Sequence, residues 1–463
     1  MTEPVAVARA ALTGVDAWLV GGALRDRLLG RPVGDLDVVV DGDVRTAARA
    51  LARAAGGPVF ELSEAFGAWR VLAPDRSWQA DLSPLRGGSL AADLALRDFT
   101  VNAIAEPLAG GPPVDPHGGQ ADLDAGRLRM VTARAFADDP LRVVRAARLA
   151  CELGLEIEPA TIAAAREHAA GAAGVAQERV FAELRRLLGS PDALRGLQLL
   201  EAVGAAAAVL PELGALHDIE QTRYHHLDAY GHTLEVLERV IELERDPAAL
   251  FGAQTGARVA AVLAEPLADE LSRGAAMRWG ALLHDAAKPH TQTPLPVGGF
   301  GFPGHDAAGA ELARDVLGRL RASERLRGHV AALTRHHLRL GFLVHNRPLD
   351  PHDLYVYLTA TGPVAVDVTL LSVADRLATR GRKSEEAIEK HLHLAREVLP
   401  PALDWHERGS PAPLVRGDDL VRELGIAPGP ELGRLLEGLR EAQFVGAVST
   451  RDEALAEARR LSS

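Results

Sequence analysis

The chain changes its hydrophobic period once, near Gly126, and that change constrains the fold more than any other feature of its 463 residues. Before it, short apolar and β-branched runs read as strands: AWLV (17–20), DLDVVV (35–40), PVFEL (58–62), WRVLA (69–73) and WQADL (78–82). Two helical patterns sit among them, ALRDRLLG (23–30) and VRTAARALARAAGG (44–57), each closed by glycine. After Gly126 the spacing is helical almost throughout. PLRVVRAARLACELG (140–154), PATIAAAREHAA (159–170) and ERVFAELRRLLG (178–189) lead into a helical block from about 195 to 400. A turn-rich stretch, QTPLPVGGFGFPG (292–304), interrupts that block, and SPAPLV (410–415) links it to a last helical unit. Strands first and helices after predict an α+β chain: a small N-terminal sheet domain, then a mostly helical remainder.

A length of 463 residues exceeds one hydrophobic core and predicts two to four domains. No run approaches the roughly 18 uncharged apolar residues of a membrane span, so no membrane partner is expected. The opening MTEPVAVARAALTG lacks a basic segment followed by an apolar block, and Cys151 is the only cysteine. Together these predict a reducing, cytoplasmic setting without disulfides. The net charge of −12 argues against a protein that coats nucleic acid. It leaves room for a local cationic patch, and Arg127 to Arg195 holds eleven arginines against nine carboxylates.

Two acids in the second strand are the first chemical signal. Asp35 and Asp37 flank Leu36, and residues i and i+2 of a strand share a face, so both carboxylates project together. Like charges that close are costly unless a cation lies between them, and Mg²⁺ suits carboxylates and nucleotide phosphates. Gly21-Gly22 precedes a helix whose amides can approach phosphate, and Asp81 adds a carboxylate in a later strand. Each element alone is common; Asp-x-Asp in a strand usually marks a solvated edge.

The combined stretch LVGGALRDRLLGRPVGDLDVVV resembles the first motif of the class II tRNA nucleotidyltransferase and poly(A) polymerase family, within the polymerase-β superfamily. LRDFTVNAIA (96–105), DPHGGQADLDAGRLRMV (115–131), FADDPLRVVRAARLACELGLEIEPAT (136–161), ERVFAELRRLL (178–188) and a tail from Gly417 to Gln443 follow in the family's order. The resemblance implies a polymerase-β-like head at 1–126, a base-reading helical neck at 127–194, a helical body at 195–408 and a tail at 409–463. It implies two-metal nucleotidyl transfer to the 3′ end of tRNA from CTP and ATP, with Mg²⁺ held by Asp35 and Asp37 and Asp81 completing the set. Gly21, Gly22 and Arg25 would position the triphosphate, and Arg97 and Asp98 would lie near the ribose. Asp139 and Arg142 would read the base edge in place of a template. The chain departs from the family pattern at Leu96 and Asp138. Only LSPLRGGSLAADLAL separates Asp81 from Arg97, which resembles enzymes that add CC alone.

Histidines supply the second signal: fourteen of seventeen fall between positions 225 and 406. The series His232, His284-Asp285, His305, His336-His337 and Asp375 suits a divalent transition metal held between helices. It resembles the HD superfamily of phosphohydrolases. That resemblance implies one metal (Ni²⁺, Mn²⁺ or Fe²⁺) on His232, His284, Asp285 and Asp375, and a second on His305 with His336 or His337. Lys288 would contact phosphate, and water would attack a phosphate ester such as a cyclic phosphate or 2′-phosphate at a damaged RNA end. Four other readings stay open: full CCA addition, a poly(A)- or A-adding enzyme of the same family, a phosphohydrolase whose head only binds, and a non-catalytic RNA scaffold. The intact Asp35 and Asp37 weigh against the last two.

Overall fold

A computed structural model describes residues 4–64, 66–221, 226–296, 299–344, 348–380 and 384–462. Contacts within the chain divide it into two compact units, one ending at Val209 and the other starting at Leu210.

The first unit is built on a six-stranded sheet. Strand β1 (Ala17–Val20) leads through helix α1 (Gly21–Leu28) to β2 (Asp35–Val40) and helix α2 (Val44–Ala55). β3 (Val59–Ser63), β4 (Ala68–Leu72) and β5 (Gln79–Pro84) follow, then helix α3 (Leu90–Ala95) and the short β6 (Ala105–Pro107). The spatial order is β3-β4-β5-β2-β1-β6, with β2 and β5 parallel and the other neighbours antiparallel. All five strands expected from the sequence are present, each within two residues of its expected bounds. In β2 the exposed Asp35 and Asp37 alternate with the buried Leu36 and Val38, as a strand with one solvated face requires. Val39 and Val40 then bury both faces and anchor the strand in the core.

The segment after β6 is scaffolding held by acids. Both Asp115 carboxylate oxygens accept from backbone amides, those of Gly119 and Gln120, at 2.7 and 2.9 Å. The fully buried Asp122 accepts from the Thr100 hydroxyl at 2.6 Å and from Arg127 and Arg129 at 2.7 and 2.9 Å. Helix α4 (Leu141–Leu153) packs on helix α5 (Gln177–Gly189) in the helical half of this unit.

The second unit is helical. Helices α6 (Ala229–Arg245), α7 (Arg273–Leu283), α8 (His305–Arg319), α9 (Glu324–His336), α10 (Ala365–Ala378) and α11 (Ser384–Arg408) form its body. The turn-rich stretch contains a small antiparallel pair, Thr293–Pro294 with Phe300–Gly301, which delivers the chain to His305. Pro351–Ala378 is by length and composition apolar enough to cross a membrane, although Asp353, Asp367 and Asp375 keep any uncharged run in it well short of a span. Of its most apolar 18 residues 72% are buried inside the protein, and the stretch carries Asp367, which is ion-paired to the buried Arg273. Its apolar surface is that of a core element. A separate cluster around Leu420, Leu435, Leu439 and Leu455 closes the C-terminal helices on themselves.

Candidate active sites

Strand register builds the first site. Asp37 lies opposite Val20 on one side and Asp81 on the other, and Asp35 lies opposite Gln79. Asp35, Asp37 and Asp81 therefore share one face and line a cavity of about 640 Å³. The cavity is lined by Gly22, Arg25, Asp98, Asn102, Arg145 and Glu183 among others. Gly21 follows the residue paired with Asp37 and has φ +68°; a Cβ there would come 3.0 Å from both Asp37 Oδ2 and Arg97 Nη1. Only glycine meets both constraints.

Asp37 is solvent-accessible in the cleft, yet protein atoms crowd its carboxyl. That desolvation, opposed by Arg97 and aided by Asp81 and Asp35, pushes it up to about 6. A crowded carboxyl beside two further acids is short of positive charge, which fits a divalent cation. Arg70 meets part of the need: its Nε and Nη2 donate to the two Asp81 oxygens, both at 2.7 Å.

Behind the carboxylates runs a network the sequence did not reveal. Arg25 donates to Asn102 Oδ1 at 2.6 Å, and Asn102 donates to Asp98 Oδ1 at 3.0 Å. Arg145 reaches Asp98 at 3.3 Å and Glu183 at 2.9 Å, and Arg148 pairs with Glu183. Burial would raise the Asp98 carboxyl, but Arg145 and Asn102 hold it below its ordinary value. Arg97 is steadied by the buried Asp93, at 3.2 Å.

Asp139 and Arg142 do not line this cavity. Arg142 donates to the carbonyls of Leu96 at 2.7 Å, Ala135 at 3.1 Å and Arg97 at 3.4 Å. Asp139 accepts from Arg179 at 2.7 Å. Asn102, Arg70, Arg145, Arg148, Glu183 and Arg179 were missed in sequence because their partners lie up to 77 residues away. The excess of arginine after position 127 hinted only at Arg145, Arg148 and Arg179.

The second site lies in the helical unit. His232, His284 and Asp375 offer ligand atoms within 4.8 Å of one another, and so do Asp285, His305 and His337. Asp285 joins the two groups: Oδ2 lies 3.1 Å from His284 Nε2, and Oδ1 lies 3.3 Å from His305 Nε2. Ring orientation is fixed from behind. Nδ1 of His284, His305 and His337 each meets the carbonyl three residues earlier, at 2.8, 2.7 and 2.6 Å. A carbonyl only accepts, so Nδ1 carries the proton and Nε2 turns its lone pair inward. Three rings tied this way, with a carboxylate between them, fit a pair of divalent ions.

Electrostatics agree. Burial, helped by His284, pushes His337 down to about 4 and keeps it neutral. Burial would raise Asp285, but His284 and Lys288 hold it well below the carboxylate range. Lys288 Nζ stands 2.5 Å from Asp285 Oδ2 and 2.5 Å from Gln221 Oε1. His336 is a correction: its Nδ1 accepts from Arg339 at 2.9 Å, away from the cluster, and its neighbour His337 takes the inward place. On adjacent residues near a helix end only one ring can face the cavity.

Comparisons with known proteins follow the same division. The poly(A) polymerase head domain model matches residues 17–87. The model described as the probable RNA and SrmB-binding site of polymerase A matches 154–216, and the HD domain model matches 229–380. An A-adding tRNA nucleotidyltransferase of Deinococcus radiodurans is 39% identical over 95% of this chain and 94% of its own length. A CC-adding tRNA nucleotidyltransferase of Thermus thermophilus is 36% identical over 96% and 93%. The fold matches a Bacillus stearothermophilus CCA-adding enzyme solved with CTP, with a TM-score of 0.63, 22% identity and 99% of both chains covered. Identity at this level over nearly the whole of both relatives settles the lineage: the chain belongs to the tRNA nucleotidyltransferase and poly(A) polymerase family and is an enzyme of that family carrying an HD domain.

Proposed function

We propose that the chain adds cytidines from CTP to the 3′ end of tRNA without a template and hydrolyses phosphate esters at its HD centre. The observation that carries the first half is the set of three carboxylates on one sheet face beside a left-handed Gly21. Asp35, Asp37 and Asp81 hold Mg²⁺, which supplies the charge that a triphosphate and a nucleophilic hydroxyl share. Gly21 and Gly22 let the backbone approach the phosphates. Arg25 and Arg97 add positive charge, and Asp98, fixed by Asn102 and Arg145, meets the ribose. Asp139 and Arg142 read the base edge. For Asp139 this requires exchange of its Arg179 partner, and for Arg142 release of a carbonyl.

Residues 1–126 form the head, 127–194 the base-reading neck, 195–408 the HD body and 409–463 the tRNA-holding tail, working in the cytoplasm. At the HD centre, His232, His284, Asp285 and Asp375 hold one divalent ion, His305 and His337 hold a second with Asp285, and Lys288 faces phosphate.

Addition stops after two cytidines in this reading, because the segment after Asp81 is short and tied down. Asp93 anchors it by accepting from Arg86 at 2.9 Å and from Arg97 at 3.2 Å. The Deinococcus radiodurans relative favours a second reading, addition of the terminal adenosine from ATP. Incubating purified protein with tRNA lacking CCA, or ending in CC, with CTP and ATP separately, then sequencing the 3′ ends, decides between them. Two cytidines and no adenosine are expected. Efficient adenosine addition to the CC end overturns the CC assignment, and no extension at all overturns the transferase assignment.

A further inference from the structure

A cavity of about 910 Å³ opens against the HD cluster, lined by His337 and Asp375 on the cluster side and by Arg376, Lys390 and His391 beyond them. That volume lies near the top of the roughly 300–1,000 Å³ range of small-molecule pockets, ample for a nucleotide. Its cations have no use in holding metal. Arg376 follows the ligand Asp375 on α10, and its Nε is buried with no hydrogen-bond partner. A buried guanidinium nitrogen without an acceptor costs stability unless a ligand meets it. Lys390 stands at the rim on α11, 58% exposed, resting on Glu386 at 2.6 Å and able to leave that partner for a stronger anion. Ser372, one turn before Arg376, fixes the adjacent His391 at 3.2 Å.

We propose that Arg376 and Lys390 form a second phosphate subsite, so that the HD centre takes a ribose phosphorylated on both sides: the reacting phosphate on the 2′ or 3′ oxygen at the metal ligands, and the 5′ phosphate on these two cations. This rests on the hydrolase reading above. Hydrolysis of such a 2′,3′-cyclic phosphate forms one P–O bond to a water oxygen and breaks one P–O bond to the ribose. One water proton ends on the released ribose oxygen, and the other stays with the oxygen now on phosphorus. The doubly phosphorylated ribose is found both at an RNA 3′ end, where the 5′ phosphate is the last internucleotide link, and in a free nucleoside bisphosphate.

The test uses full-length protein loaded with Mn²⁺. KM is measured for cytidine 2′,3′-cyclic phosphate with and without a 5′ phosphate, and for a trinucleotide ending in the cyclic phosphate. Calorimetry compares cytidine 3′,5′-bisphosphate with cytidine 3′-phosphate. Differences are read against K390A and R376Q, so that binding at the nucleotidyltransferase head cancels. The 5′-phosphorylated compounds are expected to show KM and Kd at least about tenfold lower, an advantage that collapses toward one in both variants. Comparing the trinucleotide with the bisphosphorylated nucleotide tells RNA ends from free nucleotides. K390A alters an exposed side chain, so it reads the subsite even if R376Q folds poorly. Equal Kd with and without the 5′ phosphate overturns the subsite alone. A preserved Kd preference with no hydrolysis of any compound overturns the hydrolase reading and leaves the subsite standing.

Discussion

Asp37 shows how a single side chain can be set against the stability of the protein that carries it. Its carboxyl sits at about 6 in the fold against an ordinary 3.8, raised by desolvation and by its acidic neighbours. The sign follows directly. As pH rises from about 4 to 6 the unfolded chain gives up this proton before the folded chain does, so folding stability falls, and the deficit persists above 6. Water in the open cleft screens the effect, so it is small. Asp37→Asn in metal chelator is therefore expected to melt slightly higher than the unsubstituted protein at pH 8, by roughly 1–3 °C. The difference should vanish near pH 4, while CTP incorporation is lost. Differential scanning fluorimetry across pH reads this, and an Asn variant that melts lower at pH 8 removes the argument. Saturating Mg²⁺ and CTP should reverse the order, because only the native carboxylate gains from the ion.

Helices α4 and α5 owe part of their pairing to charge. Glu183 on α5 sits between Arg145 and Arg148 on α4, with Glu183 and Arg148 both buried. Removing one partner of a buried ion pair costs about 3–5 kcal/mol. Here Arg148 keeps Glu152 at 2.5 Å and Arg145 keeps Asp98 at 3.3 Å, so Glu183→Ala is expected to cost about 2 kcal/mol. Thermal unfolding should begin about 4–8 °C lower, and a shift under a degree would mean that packing alone holds the helices. Weaker nucleotide binding should accompany the loss, since Arg145 also holds Asp98. These links mark the limit of what could be read from sequence. Strand period, the Asp35–Asp37 spacing and the His-Asp series are local patterns, and the structure forms those strands and that cluster. Arg25 on Asn102 and Glu183 on two arginines are long-range pairings with no local signature, and Arg70 on Asp81 depends on the register between two strands. The choice between His336 and His337 is likewise a matter of helix phase, which two adjacent identical letters do not carry.

At the scale of the whole chain, the two candidate sites share no residue, and each is built within one compact unit: every residue around the carboxylates precedes Val209, and every residue of the histidine cluster follows Leu210. The ligand chemistry differs as well. Carboxylate oxygens beside phosphates suit Mg²⁺, while imidazole nitrogens favour later divalent metals. The two proposed activities, with separate ligands and separate metals, should separate by mutation. His284 and Asp285 are buried, and Lys288 rests on Asp285, so near-isosteric replacements are needed to avoid leaving a cavity beside a stranded ammonium. The double variant H284N/D285N is expected to lose phosphatase activity in the presence of Mn²⁺ or Ni²⁺ while keeping CTP incorporation with Mg²⁺ within about twofold, a change below 0.5 kcal/mol in barrier. The reciprocal D35N/D37N protein should lose incorporation and keep hydrolysis. Radiolabelled CTP incorporation and phosphate release, measured on one preparation whose fold is checked by circular dichroism, read both arms. Loss of incorporation in the histidine-site variant at intact fold would mean that the helical unit supplies chemistry to the carboxylate cleft, and the assignment of one reaction to each unit would be wrong.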